Sequence, residues 1–203
     1  MCIRDRWKDG TKQSILLPEV AIEDFDACLG WLYRGELITK QPVKRFGRKD
    51  SQLVRIWIMA DELGDLQLRN AVIDKFIERF KTDWHYPDYP EIELIWEKTA
   101  PGSTLRKLVL HSYMSLPCPN YMKEHHAKFH PDFMAELTAT LLEKTCDGGR
   151  KLRHPWEIGA CAFHEHNERS PRCTQADSSP DGRKAWSAQR RIQVACSLGL
   201  VIL

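Results

Sequence analysis

A mostly helical α+β fold is what this sequence predicts: one short strand, then helical hairpins, then an irregular tail. Three observations carry that reading. Phe25, Cys28, Leu29, Leu32 and Tyr33 recur at helical spacing and are closed by Gly35, with Ile22 extending the stripe one turn upstream. Leu68, Val72, Phe76 and Phe80 repeat every fourth residue, directly after a minimal turn at Gly64-Asp65. The only strand-like run, Gln13–Leu17, is cut off by Pro18, which has no N–H to give a ladder.

Residues 1–6, Met-Cys-Ile-Arg-Asp-Arg, match the translation of a transposase mosaic-end sequencing adapter and are set aside from the fold. Their presence leads us to expect that a natural N-terminal part is missing. After Asp9-Gly10 comes the short strand, and after it the helix over Phe25–Gly35, whose stripe is expected to be deeply docked. Residues 39–51 are basic, contain Pro42 and Gly47, and read as a solvated loop. A helix then carries Leu53, Ile56, Trp57, Ala60 and Leu63, with Ser51 as its expected N-cap and Gly64 at its end. The third helix adds Ala71, Ile73 and Ile77 to its four-residue repeat. It is apolar over more than one stripe and is expected to pack on two sides. Joined by so short a turn, these two helices form an antiparallel hairpin.

Pro87 and Pro90 interrupt the pattern. A shorter helix follows with Ile92, Ile95 and Trp96, halted at Thr99–Gly102. Ser103 is placed to cap the next, which carries Leu105, Leu108, Val109 and Tyr113 and stops before Pro117-Cys118-Pro119. A last helix begins at Pro131, with Asp132 in its first turn and Phe133, Leu137 and Leu141 along one face. Beyond Asp147-Gly148-Gly149 no periodicity marks an element, although Val194–Leu203 are apolar again. The expected organisation is thus an adapter remnant at 1–6, a partial domain at 7–82, a helical extension at 83–147 and a disordered tail at 148–203.

Composition is that of a globular protein with a modest core, 42% hydrophobic and 29% charged. The net charge of +2 conceals a split, for residues 148–203 hold nine Lys/Arg against five Asp/Glu. A basic tail behind a near-neutral body reads as solvation before nucleic-acid binding. No apolar run reaches the roughly 20 residues of a membrane span, and no signal peptide is visible. Seven scattered cysteines without paired spacing point to a reducing intracellular compartment, nuclear or cytoplasmic.

Taken together, the order of elements resembles one family. Ile15-Leu16-Leu17-Pro18-Glu19, then Phe25 with Trp31-Leu32-Tyr33-Arg34-Gly35, resembles the strand–helix signature of BTB/POZ domains. Met59-Ala60-Asp61-Glu62-Leu63 and Leu66-Gln67-Leu68-Arg69-Asn70 are similar to its next two helices. The stretch Ile95–Arg106, with Glu97, Thr99, Gly102-Ser103 and Leu105-Arg106, resembles a segment of BTB proteins from filamentous fungi. The resemblance spans roughly residues 13–142 and implies the C-terminal part of a BTB/POZ fold, N-terminally truncated. It implies a non-catalytic protein–protein interaction module that forms homo- or heterodimers in its full-length form. Such modules serve as adaptors for cullin-based ubiquitin ligases or as transcription-linked scaffolds. The family's hydrophobic-x-Glu cullin-gripping motif would fall just upstream of Ile15, where Arg6-Trp7-Lys8 does not match it. Truncation of the central sheet leads us to expect exposed apolar surface along the helices of 22–80.

Two clusters bear on chemistry. Cys161, His164, His166 and Cys173 are ligand types that zinc takes, though in the spacing of no standard finger. They are the candidates for a metal site, with no ion or cofactor assigned. They also define the alternative function, a zinc-binding nucleic-acid-associated protein working through its tail. Cys118 with His125, His126 and His130 would supply a Cys–His nucleophile pair, but no glycine loop is present to hold an oxyanion. Cys28, Trp31 and Trp57 read as core residues. The sequence therefore points away from an enzyme.

Overall fold

The computed structural model describes residues 20–39, 52–83, 87–115, 119–146 and 152–167. Over these residues the chain is helical, with no strand among them. The mostly-α class expected from periodicity is what the described residues show. The short strand expected at 13–18, the Ser51 cap, the adapter remnant at 1–6 and the tail beyond 167 lie outside them.

Among the described residues, seven helices of seven residues or more succeed one another, followed by a short turn of helix: α1 (Ile22–Arg34), α2 (Gln52–Leu63), α3 (Leu66–Asp83), α4 (Tyr89–Lys98), α5 (Thr104–Ser115), α6 (Pro119–His125), α7 (Pro131–Cys146) and α8 (Pro155–Ile158). Single turns of 3-10 helix at His126–Lys128 and Ala160–Phe163 complete the set.

The α2–α3 hairpin is the centre. Gly64, at φ 71°, lets the chain reverse within two residues. The Asp65 carboxylate then accepts the N–H groups of Gln67 and Leu68 at 3.0 and 2.9 Å, capping α3. Leu53, Ile56, Trp57 and Ala60 of α2 are buried against Leu68, Val72, Phe76 and Phe80 of α3. Val54 and Met59, and likewise Ile73 and Ile77, are buried on further faces. As expected of a helix apolar over more than one stripe, α3 packs against two partners, α2 and residues 155–163.

Helix α4 lies on α2 and also packs on α5 and α7. It opens with a capping box: the Asp88 side chain accepts from Tyr89 N–H at 2.7 Å while Asp88 N–H donates to Glu91 Oε2 at 2.6 Å. Ser103 Oγ accepts from Arg106 N–H at 3.3 Å, the cap expected of it at the start of α5. One residue ties these helices together. Arg106 donates through Nη2 to the carbonyls of Trp96 and Thr99, both at 2.6 Å, and through Nη1 to Glu136 Oε1 of α7 at 3.1 Å. Its guanidinium lies 5.0 Å from the Trp96 ring centroid.

Four expectations need correction. Helix α1 buries Asp24, Ala27, Cys28 and Gly30, with Leu29, Trp31 and Leu32 half-buried, whereas Ile22, Phe25 and Tyr33 are exposed. The buried stripe is the expected one shifted by a single residue, a rotation of about 100°. Its cause is Asp24, which periodicity assigns to solvent but which pairs with Arg55 Nε at 2.5 Å and is 1% exposed. Gly35 does close the helix as expected, at φ 73° with its N–H on Trp31 O. Second, the stretch between α5 and α7 holds a helix, α6, that the clustered prolines concealed; Pro119 occupies its first position, where a missing N–H costs nothing. Leu141, expected on the buried face of α7, is 42% exposed because the contacts end at Leu137.

The fourth correction concerns the tail. Within residues 152–167, expected to be part of a disordered segment, Pro155–Ile158 and Ala160–Phe163 are helical and packed on α3 and α5. Phe163 is buried, edge-on to His111 with ring centroids 5.4 Å apart. One aromatic anchor in a charged, aperiodic stretch leaves no pattern for a sequence reading to detect.

Candidate functional site

The C-terminal described segment is where the chemistry-bearing residues gather. Helix α8 begins at Pro155, with Glu157 accepting the His154 N–H at 2.8 Å. The 3-10 turn that follows ends with His164 N–H on Cys161 O at 3.4 Å, so the chain folds back and continues extended.

Glu165 is the point of attachment. The side-chain amide of Asn70 pairs with its backbone in both directions, Nδ2 donating to Glu165 O at 2.9 Å and Glu165 N–H donating to Asn70 Oδ1 at 3.0 Å. The Glu165 carboxylate meets Arg69 Nη2 at 2.9 Å and accepts from Thr104 Oγ1 at 3.2 Å. Arg69 also reaches Asp61 of α2 at 2.6 Å, so α3 and α5 hold the acidic residue directly and α2 steadies the arginine that grips it. These partners were not singled out in the sequence. They stand up to 96 residues from Glu165, and the only local hint was a polar pair, Arg69-Asn70, beside an apolar stripe.

Of the four metal candidates, the structure brings two together. Cys161 Sγ lies 3.3 Å from His166 Nε2. His164 turns the other way and meets Asp74 Oδ1 of α3 through Nε2 at 3.2 Å, its ring 6.1 Å from that of His166. Cys173 lies outside the described residues. Among the described residues no three His, Cys, Asp or Glu side chains are placed to hold a metal ion. The His166 Nδ1 is buried and without a hydrogen-bond partner, so its ring makes its hydrogen-bonding contact at the sulfur.

The other candidate cluster does not converge. His126 Nδ1 is 3.0 Å from Lys123 O, His130 Nδ1 accepts the Asp132 N–H at 3.2 Å, and His125 sits 4.6 Å from the Tyr121 ring. Cys118 lies outside the described residues. Each of these histidines is engaged within its own turn of chain. Nearby, the Tyr121 hydroxyl donates to the Asp88 carboxylate, and burial, with that carboxylate beside it, holds the phenol well above its usual range.

A second feature is a surface. Ile22, Phe25, Leu29 and Tyr33 share one face of α1 at helical spacing, and three of them are exposed: Ile22 at 78%, Phe25 at 38% and Tyr33 at 58%. Ile38, just beyond Gly35, adds a further exposed apolar side chain. No described helix is long and apolar enough to cross a membrane. Comparison with protein-family models, with curated proteins and with solved structures finds no match to this chain.

Proposed function

We propose that this chain is a non-catalytic protein–protein interaction module of the BTB/POZ type, working through the apolar face of α1. The observation that carries the reading is the exposure of Ile22, Phe25 and Tyr33 on one helix. Scattered apolar side chains are ordinary on a surface, but a contiguous set along one helix favours a covered, partner-bound state. The buried side of α1 is held rigidly by the Asp24–Arg55 pair and by Gln52 Nε2 on Glu23 O at 3.3 Å. The exposed face is thereby presented on a fixed support. The resemblance in Trp31–Gly35 and Ile95–Arg106 supports the family and implies a protein partner. That partner is a second copy or a different subunit, in an adaptor or scaffold role.

Sedimentation velocity on the full chain tests this. The wild type is expected to associate at micromolar concentration, and Phe25→Asp with Tyr33→Asp is expected to return it to monomer without loss of helical circular dichroism. A wild type that stays monomeric, and that captures no partner the double variant fails to capture, would sink the proposal.

A further inference from the structure

The pairing of Cys161 with His166 does something the interaction reading leaves unused. Cys161 sits in the 3-10 turn Ala160–Phe163, and the reversal after it brings His166 Nε2 to within 3.3 Å of the sulfur. This approach is held from outside the pair. Asn70 grips the backbone of Glu165, Arg69 and Thr104 grip its carboxylate, and Asp74 pairs with His164. Cys161 is half-buried rather than sealed in the core, and the Nδ1 of its imidazole neighbour has no hydrogen-bond partner. Thiol chemistry needs the proton removed and the sulfur reachable, and both conditions meet here.

The contrast within the chain is informative. Cys28, the other thiol whose surroundings are described, is 3% exposed in the contact between α1 and α2. Burial, with the Asp65 carboxylate nearby, pushes its pKa up to about 12. It is buried and has no imidazole beside it, so it serves as an internal control.

We propose that Cys161 is a thiol oxidation site for hydroperoxides, with His166 as the base that takes the thiol proton. Sγ attacks one peroxide oxygen, forming an S–O bond as the O–O bond breaks. The sulfur loses two electrons and the peroxide gains them. The thiol proton passes by way of His166 Nε2 to the departing oxygen, which leaves as water from hydrogen peroxide or as an alcohol from an organic hydroperoxide. The product is a sulfenic acid at Cys161, the reversible first step of cysteine oxidation, within reach of the same imidazole.

The test is hydrogen peroxide on the full chain, with the sulfenic acid trapped by a 1,3-dione and located by peptide mass spectrometry. Cys161 is expected to be trapped in the folded chain on the order of a hundredfold faster than in the urea-unfolded chain, the low end of what a positioned base contributes. Cys28 is expected to be untouched until unfolding. In His166→Gln the Cys161 rate is expected to fall to that of the unfolded chain while helical circular dichroism is retained. A folded-state rate at Cys161 no higher than the unfolded one would overturn the proposal outright. A fast rate unchanged in His166→Gln would overturn the role of the imidazole.

Discussion

Asp65 acts in two opposed ways. Its Oδ1 caps α3 through the N–H groups of Gln67 and Leu68, a role its neutral amide can fill equally well. Its burial raises its pKa above the usual carboxylate value, against the lowering effect of those two N–H groups and of Arg69. A carboxyl whose folded pKa is raised keeps its proton to higher pH when folded than when unfolded. Its ionisation therefore subtracts stability as pH climbs through that window, and the loss persists at neutral pH. Asp65→Asn is accordingly expected to be at least as stable as the wild type at pH 7, with the difference closing in acid. Asp65→Ala is expected to be destabilised by about 1 kcal/mol from the lost cap. Urea denaturation of the three proteins at neutral and acid pH checks both. Of this residue the sequence made legible the turn, Gly64-Asp65, but not the burial. Whether a turn aspartate faces water depends on α1, which packs over the hairpin and brings Cys28 near it.

At the scale of elements, the segment 152–167 and helix α1 make complementary cases. The segment is short, charged and aperiodic, and it is ordered by contacts with residues distant in sequence. Its attachment concentrates in Asn70, whose amide satisfies both backbone groups of Glu165. Asn70→Ala leaves that N–H and C=O unpaired, at a cost of about 1–3 kcal/mol for groups removed from water. The expected outcome is local: amide hydrogen exchange at 160–167 rises in Asn70→Ala while that of α2 and α4 is unchanged. Helix α1 shows the converse. Its existence and its end at Gly35 were legible from periodicity and from one glycine. Its orientation was not, because an amphipathic pattern counts aspartate as a solvent residue. Here Asp24 turns inward to Arg55, and Phe25 and Tyr33 turn outward.

At the scale of the molecule, one apolar core among the described residues runs from α1 through α7 and on to Phe163. Cys28 couples that core to alkaline pH. Its folded pKa, about 12, exceeds the ordinary thiol value of 9.0, so between these values the unfolded chain has released a proton that the folded chain retains. Stability contributed by this thiol is complete below the lower value and falls through the window, at up to about tenfold in the folding constant per pH unit. The stability advantage of the wild type over Cys28→Ala is expected to shrink between pH 9 and 11, measured by denaturant titration; a constant difference would contradict the assignment. Most of the fold was legible from the sequence. The stripes in α2, α3, α4 and α5, the hairpin turn and the Ser103 cap follow from local spacing and backbone chemistry, which act between near neighbours. The candidate site was legible in its residues alone. Cys161, His164 and His166 were evident as a cluster, and folding then separated them, joining Cys161 to His166 and turning His164 to Asp74. Periodicity and turn chemistry are properties of neighbouring residues and can be read along the chain. Ion pairs such as Asp24–Arg55, and the amide clasp of Asn70 on Glu165, join residues far apart in sequence. They exist only once packing has removed the competing water, so tertiary structure alone decided which faces are covered and which side chains meet.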